Sequence, residues 1–110
     1  MENSSPAVHQ VSPEEFLSLN KKSTKSIVLF SAPWCGLCKR IAPIYRKKAM
    51  EIAQVNFFSI DLGEFPQARN LAEVTSLPFF ATFIDGRIQE RKASSKPDVL
   101  MNLINQLINE

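Results

Sequence analysis

The chain contains few residues of the kinds that mark several common classes of functional site. Its 110 residues include two cysteines, one histidine and three glycines. Two cysteines are too few for a framework of structural disulfide bonds. Together with His9 they leave a structural zinc site one ligand short, so such a site would need a second chain. None of the three glycines lies in a glycine-rich loop, which excludes the usual loops that hold nucleotide phosphates.

The chain also lacks a strong excess of one charge and any long apolar run. Its 13 lysines and arginines are interspersed with 11 acidic residues, and a net charge of +2 is too small to indicate a nucleic-acid partner. No apolar stretch has the length of a membrane span, and the N-terminus lacks the basic and apolar regions of a secretory signal. We therefore expect a monomeric, cytoplasmic protein with reduced cysteines and no membrane partner.

Apolar runs and turn residues predict alternating strands and helices. We expect residues 1–6 to form a flexible polar segment and residues 7–110 to form a single domain. The predicted strands are 7–11, 26–30, 55–60, 79–84 and 87–92, and the predicted helices are 12–20, 35–53, 66–74 and 95–108. This βαβαβαββα order predicts an α/β fold in which helices cover both faces of a central mixed sheet.

The first predicted helix shows the clearest start signal. Ser12 and Glu15 have the spacing of a capping box. Phe16 and Leu17 are expected to face the core, with Leu19 beside them. In the second helix, an internal Pro43 predicts a kink.

Both cysteines lie in one short motif between the second strand and the second helix. Placing Cys35 at the helix N-terminus favours its thiolate, because unpaired N–H groups and the positive end of the helix dipole lie there. Cys38, one turn further on, is shielded and close enough to resolve a mixed disulfide. Gly36 lets another chain approach, and Lys39 adds local positive charge. The alternatives are half of a zinc site shared with a second chain, or two inert buried cysteines.

Residues 31–39, which read Ser-Ala-Pro-Trp-Cys-Gly-Leu-Cys-Lys, resemble the active-site segment of the thioredoxin family, usually W-C-G-P-C-K. Pro43 matches the family's helix-kinking proline, Leu77-Pro78 its cis-proline loop and Asp85-Gly86 its late hairpin. The resemblance extends over nearly the whole chain. It implies the thioredoxin fold and reduction of protein disulfides, with Cys35 attacking and Cys38 resolving.

The resemblance also implies the surroundings of the two sulfur atoms. Pro78 would follow a cis peptide bond and pack against them, and the backbone of Leu77 would pair with an extended substrate segment. Trp34, Leu37, Leu77 and Ala93 would form an apolar rim around the site. No cofactor is implied beyond the cysteine pair itself, so electrons would come from a partner such as a thioredoxin reductase.

Several residues differ from the family pattern. Leu37 stands in place of a proline, which predicts a milder reductant than thioredoxin because an additional N–H donor would stabilise the thiolate. Leu29 stands in place of a buried acid and Phe57 in place of its lysine partner. Because this charged pair is missing, we expect a less hydrated region beneath the active site and slower release of the mixed disulfide near neutral pH. Ala93 stands where glycine is common, and Ser76 lies on the same rim.

Two other functions remain compatible with these residues. One is a less reducing role within redox chemistry, as a disulfide isomerase, an oxidant or a partner in peroxide defence. The other is a non-enzymatic module that uses the same surface to bind a partner.

Overall fold

The computed structural model describes residues 7–110 of the chain, so the prediction of a flexible segment at residues 1–6 lies outside the described residues. The elements follow the predicted order, with a 3₁₀ helix in third helical position. The strands are β1 (Val8–Gln10), β2 (Lys25–Ser31), β3 (Asn56–Asp61), β4 (Phe79–Ile84) and β5 (Arg87–Ala93). The helices are α1 (Pro13–Asn20), α2 (Gly36–Glu51), the 3₁₀ helix (Pro66–Leu71) and α3 (Pro97–Asn109).

The strands form one mixed sheet in the order β1-β3-β2-β4-β5. β1 and β2 both run parallel to β3, while β4 is antiparallel to β2 and β5 is antiparallel to β4. Asp85 and Gly86, between β4 and β5, have φ values of 53° and 81°, as a tight hairpin turn requires. The sheet confirms the predicted topology and places the carboxyl ends of β2 and β3 side by side, near the start of α2.

Successive residues of β2 face opposite sides of the sheet, so this strand contributes to a core on each side. Ile27 and Leu29 belong to the apolar cluster that includes α2 and α3. Val28 and Phe30 belong to the cluster that includes α1 and the 3₁₀ helix. Helices therefore cover both faces, which confirms the predicted fold class.

α1 begins as predicted. Ser12 Oγ accepts a hydrogen bond from the Glu15 N–H at 3.1 Å, and Glu15 Oε1 accepts one from the Ser12 N–H at 2.8 Å. These two bonds complete the capping box and satisfy two backbone donors that the helix itself leaves free.

The buried side of α1 differs from the prediction. Phe16 is buried, but Leu17 is 49% exposed and Leu19 is 41% exposed, so the prediction that these two leucines face the core is wrong. Asn20, four positions after Phe16, lies on the buried side instead. Its Oδ1 accepts a hydrogen bond from Ser26 Oγ at 2.8 Å, which makes its burial tolerable.

The third predicted helix is shorter and more tightly wound than expected. The sequence predicts a helix over 66–74, whereas the structure has a 3₁₀ helix over Pro66–Leu71. Glu73 adopts φ of 53°, a left-handed conformation that does not continue a right-handed helix. α2 continues through Pro43, as predicted, and ends at Glu51, before the predicted end at Ala53.

The two edges of the sheet differ in length and composition. β5 has seven residues, all exposed, and four of them are charged. β1, at the opposite edge, has three residues. Across residues 7–110, no helix combines the length and apolar character needed to cross a membrane.

Candidate active site

Cys35 occupies the N-cap of α2, which confirms its predicted place at the start of a helix. Its backbone is extended, with φ of −92° and ψ of 104°, and its N–H donates to the Ala32 carbonyl at 3.1 Å. The Cys38 N–H donates to Cys35 Sγ at 3.1 Å. The sulfur of Cys35 thus takes the place that a serine or aspartate oxygen takes at an ordinary N-cap.

Cys35 and Cys38 form a disulfide bond, with their Cα atoms 5.2 Å apart, so the structure represents the oxidised protein. The two residues differ in exposure. Cys35 is only partly buried, whereas Cys38 is 4% exposed and belongs to the buried side of α2. A foreign disulfide can therefore reach the first sulfur far more easily than the second.

The outer surface around Cys35 is apolar and open. Trp34 is 73% exposed and Leu37 is 46% exposed. A Cβ atom added to Gly36 would meet nothing within 4 Å, so this position faces open space. Lys39 is exposed in the first turn of α2.

The Leu77–Pro78 peptide bond is cis, as the resemblance implied. Leu77 is partly buried and Pro78 is buried at the start of β4. Ala93 is exposed and pairs with Phe79 at the end of β5. The next residue, Ser94, donates its N–H to the Pro78 carbonyl at 3.1 Å. Sequence reasoning missed Ser94, although it is the residue that ties the end of β5 to the cis-proline loop.

Gly63 is a second residue that sequence reasoning missed. A Cβ atom added there would come within 2.8 Å of Pro33 Cδ and 3.1 Å of Trp34 Cζ3. The closer contact is with the rigid ring of Pro33, so a larger residue at Gly63 would shift the segment that precedes Cys35. A glycine three residues after a predicted strand was the available signal.

The sheet beneath α2 is apolar where the family pattern has a charged pair. Leu29 is 3% exposed and Phe57 is 1% exposed, and both belong to the same apolar cluster. Within residues 7–110 no acidic or basic residue is buried. The two replacements are compatible because neither leaves a buried charge without its partner.

Tyr45 is the one polar group of this apolar cluster, and it is fully enclosed. Its hydroxyl oxygen lies 3.0 Å from the Ile27 carbonyl oxygen and 2.8 Å from that of Phe58, so its single proton is donated to one of them or shared between the two. Burial raises the pKa of Tyr45 well above the ordinary tyrosine value, although hydrogen bonds to the backbone oppose the shift. The residue therefore fixes α2 to β2 and β3 as a neutral donor.

A cavity of about 500 Å³ opens behind the disulfide, between α2 and the carboxyl ends of β2 and β3. We call it the rear cavity. Its lining residues are Gln10, Val11, Ser12, Glu15, Ser31, Ala32, Pro33, Cys38, Lys39, Ala42, Ser59, Asp61, Glu64 and Phe65. Cys38 therefore borders a cavity of mixed polar and apolar lining, which none of the four rim residues Trp34, Leu37, Leu77 and Ala93 lines.

Residues 7–110 hold no group of three or more histidine, cysteine or acidic side chains that could bind a metal ion. His9 lies exposed on β1, with its ring 5.6 Å from that of Phe58.

Known proteins resemble this chain in both sequence and fold. The family model described as Thioredoxin matches residues 7–106. Thioredoxin 1 of Plasmodium falciparum is 30% identical over 95 residues, which cover 86% of this chain and 91% of that protein.

Two solved structures show the likeness of fold. Oxidised mitochondrial thioredoxin 3 of Saccharomyces cerevisiae has a TM-score of 0.85 and 29% identity, over 92% of this chain and 96% of that chain. Thioredoxin f2, solved in complex with ferredoxin:thioredoxin reductase, has a TM-score of 0.82 at 22% identity, over 90% of this chain and 93% of that chain.

Proposed function

Because this chain belongs to the thioredoxin family and is a thiol–disulfide oxidoreductase, we propose that Cys35 is its attacking residue and Cys38 its resolving residue. The observation that carries this assignment is the unequal exposure of the two sulfurs. Cys35 is accessible at the N-cap of α2, and Cys38 is 4% exposed one turn inside. The proposed substrates are protein disulfides.

The first step is an attack by the reduced Cys35. Its thiolate is stabilised by the N-terminus of α2, including the Cys38 N–H that lies 3.1 Å from the sulfur. The thiolate attacks one sulfur of the substrate disulfide, which forms a mixed disulfide with Cys35 and frees the other substrate sulfur as a thiolate.

The second step releases the reduced substrate. Cys38 loses its proton and attacks Cys35 Sγ, the Cys35–Cys38 bond forms, and the remaining substrate sulfur leaves as a thiolate. Two electrons pass from the protein's dithiol to the substrate. The pair is within reach for this step because its Cα atoms lie 5.2 Å apart.

The rim around Cys35 is the proposed substrate-binding surface. An extended segment of the substrate pairs with the backbone of Leu77, while Trp34, Pro78 and Ala93 contact its side chains. Support comes from the exposure of Trp34 and from the hydrogen bond between the Ser94 N–H and the Pro78 carbonyl, which holds the end of β5 beside this loop. The open space at Gly36 permits close approach.

Leu37 and Lys39 are proposed to adjust the site without touching the exchanged bond. Leu37 supplies an N–H in the first turn of α2 that a proline would lack. Lys39, exposed in the same turn, adds positive charge that favours the thiolate state of Cys35.

No cofactor enters this mechanism, so an external protein must return electrons to the disulfide. We propose a thioredoxin reductase or an equivalent reductant, a role that ferredoxin:thioredoxin reductase illustrates in the solved complex with thioredoxin f2. We also propose that the chain acts as a monomer in the cytoplasm, since a reducing compartment keeps such a dithiol available.

Trapping the mixed disulfide tests the assignment of the two cysteines. The Cys38→Ser variant should retain the first step and lose the second, so that it remains covalently bound to a model protein disulfide such as insulin. The matched Cys35→Ser variant should form no such adduct, and both variants should lose turnover. Mass spectrometry after alkylation identifies the adduct. Equal trapping by both variants would overturn the assignment.

A further inference from the structure

The rear cavity exists because three short side chains face one another between α2 and the sheet. Ser31 is the last residue of β2, Ser59 lies two residues before the end of β3, and Ala42 lies on α2; all three line the cavity. Two residues earlier along the same strands, the larger Leu29 and Phe57 are buried in the apolar cluster beneath α2. The gap is thus a local consequence of side-chain size.

The cavity is suited to hold water. Its volume of about 500 Å³ far exceeds the roughly 30 Å³ that one water molecule takes in the liquid. Serine hydroxyls and carboxylates on its walls offer the polar partners that ordered water needs. Since Cys38 also lines this space, water can approach the buried thiol from the side opposite to the substrate.

The charged residues on the walls of the cavity come from four segments, while β1 and β2 contribute the uncharged Gln10 and Ser31. α1 contributes Glu15, α2 contributes Lys39, β3 contributes Asp61, and the following loop contributes Glu64. A neighbouring cavity that shares Ser31, Ser59 and Ala42 with this one is bordered by His9 and Arg46.

Among the three carboxylates, Asp61 is the one placed to interact with the interior. Glu15 is exposed, and its Oε1 already accepts the Ser12 N–H. Glu64 is exposed on the loop. Asp61 is partly buried and lies beside Ser31 in the parallel register of β2 and β3. One of its oxygens, Oδ1, accepts the Gly63 N–H at 2.7 Å, which holds the carboxylate in place.

We propose that Asp61, acting through water in the rear cavity, accepts the proton that Cys38 loses when it resolves the mixed disulfide. The proposal deepens the proposed function and rests on it. The proton passes from the Cys38 thiol through water to the Asp61 carboxylate, while the electron pair left on sulfur attacks Cys35 Sγ. The departing substrate thiolate later takes a proton from solvent, and Asp61 returns its own proton to solvent.

This route explains how a chain with leucine at position 29 can still deprotonate its resolving cysteine near neutral pH. The side chain of Leu29 cannot accept a proton, and no charged residue within the described range is buried. A carboxylate at the wall of a hydrated cavity accepts protons without the cost of a fully buried charge.

The test separates the two exchange steps in a single stopped-flow experiment. Reduced protein is mixed with an aromatic disulfide, dithiobis-nitrobenzoate, which gives one coloured thiolate when Cys35 attacks and a second when Cys38 releases the adduct. The Asp61→Asn variant keeps an oxygen to accept the Gly63 N–H but has no base. We expect the second phase to slow by about tenfold or more near neutral pH, with the first phase changed less than twofold.

The pH profile distinguishes proton transfer from a structural effect. In the parent protein the second phase should stay fast near neutral pH. In Asp61→Asn it should rise with pH until Cys38 ionises unaided, so that the two proteins converge at alkaline pH. A variant whose active site is structurally distorted would instead show a slow second phase at every pH.

Two further variants complete the test. Glu64→Gln removes a neighbouring charge from the same cavity and should leave both phases unchanged. Ser59→Leu fills the cavity and should reproduce the slow, pH-dependent second phase while Asp61 is retained. The proposal is overturned if Asp61→Asn matches the parent, or if Glu64→Gln slows the second phase equally. A missing first phase in the parent would instead overturn the proposed function.

Discussion

The interface between α2 and the sheet is filled at one end and open at the other. At the filled end, Leu29, Phe57 and Tyr45 belong to one apolar cluster, and each is at most 3% exposed. At the open end, two residues further along the same strands, Ser31 and Ser59 leave the rear cavity. The size and polarity of the side chains distinguish the two ends, while β2 and β3 stay paired in one register throughout.

The difference shows how one helix serves stability and chemistry at once. The filled end anchors α2 through apolar burial and the hydroxyl of Tyr45. The open end leaves the region around Cys38 accessible to water, where a proton has to move during the reaction. Substitutions that exchange the properties of the two ends should therefore damage either folding or proton transfer, according to the end they alter.

The largest expected effect comes from placing an acid at the filled end. Leu29→Asp puts a carboxylate into the apolar cluster, where Phe57 offers no cation, and should lower the free energy of unfolding by about 3 kcal/mol. Because Asp61 already supplies a base in the parent protein, release of the mixed disulfide near neutral pH should not become faster. Urea unfolding measures the first effect and stopped-flow kinetics the second.

Two controls make this comparison specific. Ser59→Asp places the same carboxylate at the open end, where water can solvate it. It should lower the free energy of unfolding by less than about 1 kcal/mol. Adding Phe57→Lys to Leu29→Asp should recover part of the lost free energy of unfolding, because the lysine gives the buried carboxylate a partner of opposite charge. Equal costs at Leu29 and Ser59 would show that the two ends do not differ in hydration.

A smaller effect is expected when Tyr45 loses its hydroxyl. Tyr45→Phe leaves the carbonyls of Ile27 and Phe58 without this donor. It should lower the free energy of unfolding by about 1 to 2 kcal/mol at neutral pH. Because the folded protein holds the pKa of Tyr45 above its ordinary value, the unfolded chain loses the phenol proton first. The contribution of this phenol to stability should therefore be constant below about pH 10 and fall as the pH rises beyond that value.

The same variant tests the sign of this dependence. Tyr45 is the single tyrosine of the chain, so the phenol contribution disappears entirely in Tyr45→Phe. The difference in unfolding free energy between parent and variant should shrink as the pH rises above about 10. A difference that stays constant, or grows, would contradict the neutral and buried state of the hydroxyl.

The smallest expected effect lies on the outer surface of α2, away from both ends of the interface. Leu37→Pro removes one N–H from the turn that faces the sulfurs and should make the disulfide harder to reduce, with a potential lower by roughly 30 mV, or tenfold in equilibrium constant. Equilibration with a glutathione buffer measures it. Met50→Ala, on an exposed position late in the same helix, should leave the potential unchanged. An unchanged or higher potential in Leu37→Pro would contradict the proposed role of Leu37.

The features that the sequence predicted well are those encoded by neighbouring residues. The capping box needs Ser12 and Glu15 alone, and the position of Cys35 at the start of α2 follows from a strand and a helix that adjoin it. The buried run in β2 is equally local. These patterns give nearly the whole order of elements.

The features that the sequence did not predict depend on residues from separate elements. The rear cavity requires Ser31, Ser59 and Ala42 to face one another across β2, β3 and α2, and no local pattern reports a gap. The exposure of Leu17 and Leu19 has a similar cause, since the rotation of the short α1 is set by packing against the sheet. Side-chain identity alone does not show which of several apolar residues on a helix becomes buried against the sheet.

The unequal edges of the sheet bear on how the protein behaves when it is concentrated. A bare strand edge is a template on which another chain can polymerise, and lysine or arginine there opposes such growth. β5 carries Arg87, Arg91 and Lys92 against one acid, Glu90, along its exposed edge, and β1 offers a template of only three residues. The β5 edge of a second copy of this chain therefore meets a net positive charge like its own, and β1 offers too few residues for stable pairing, which opposes fibril-like aggregation.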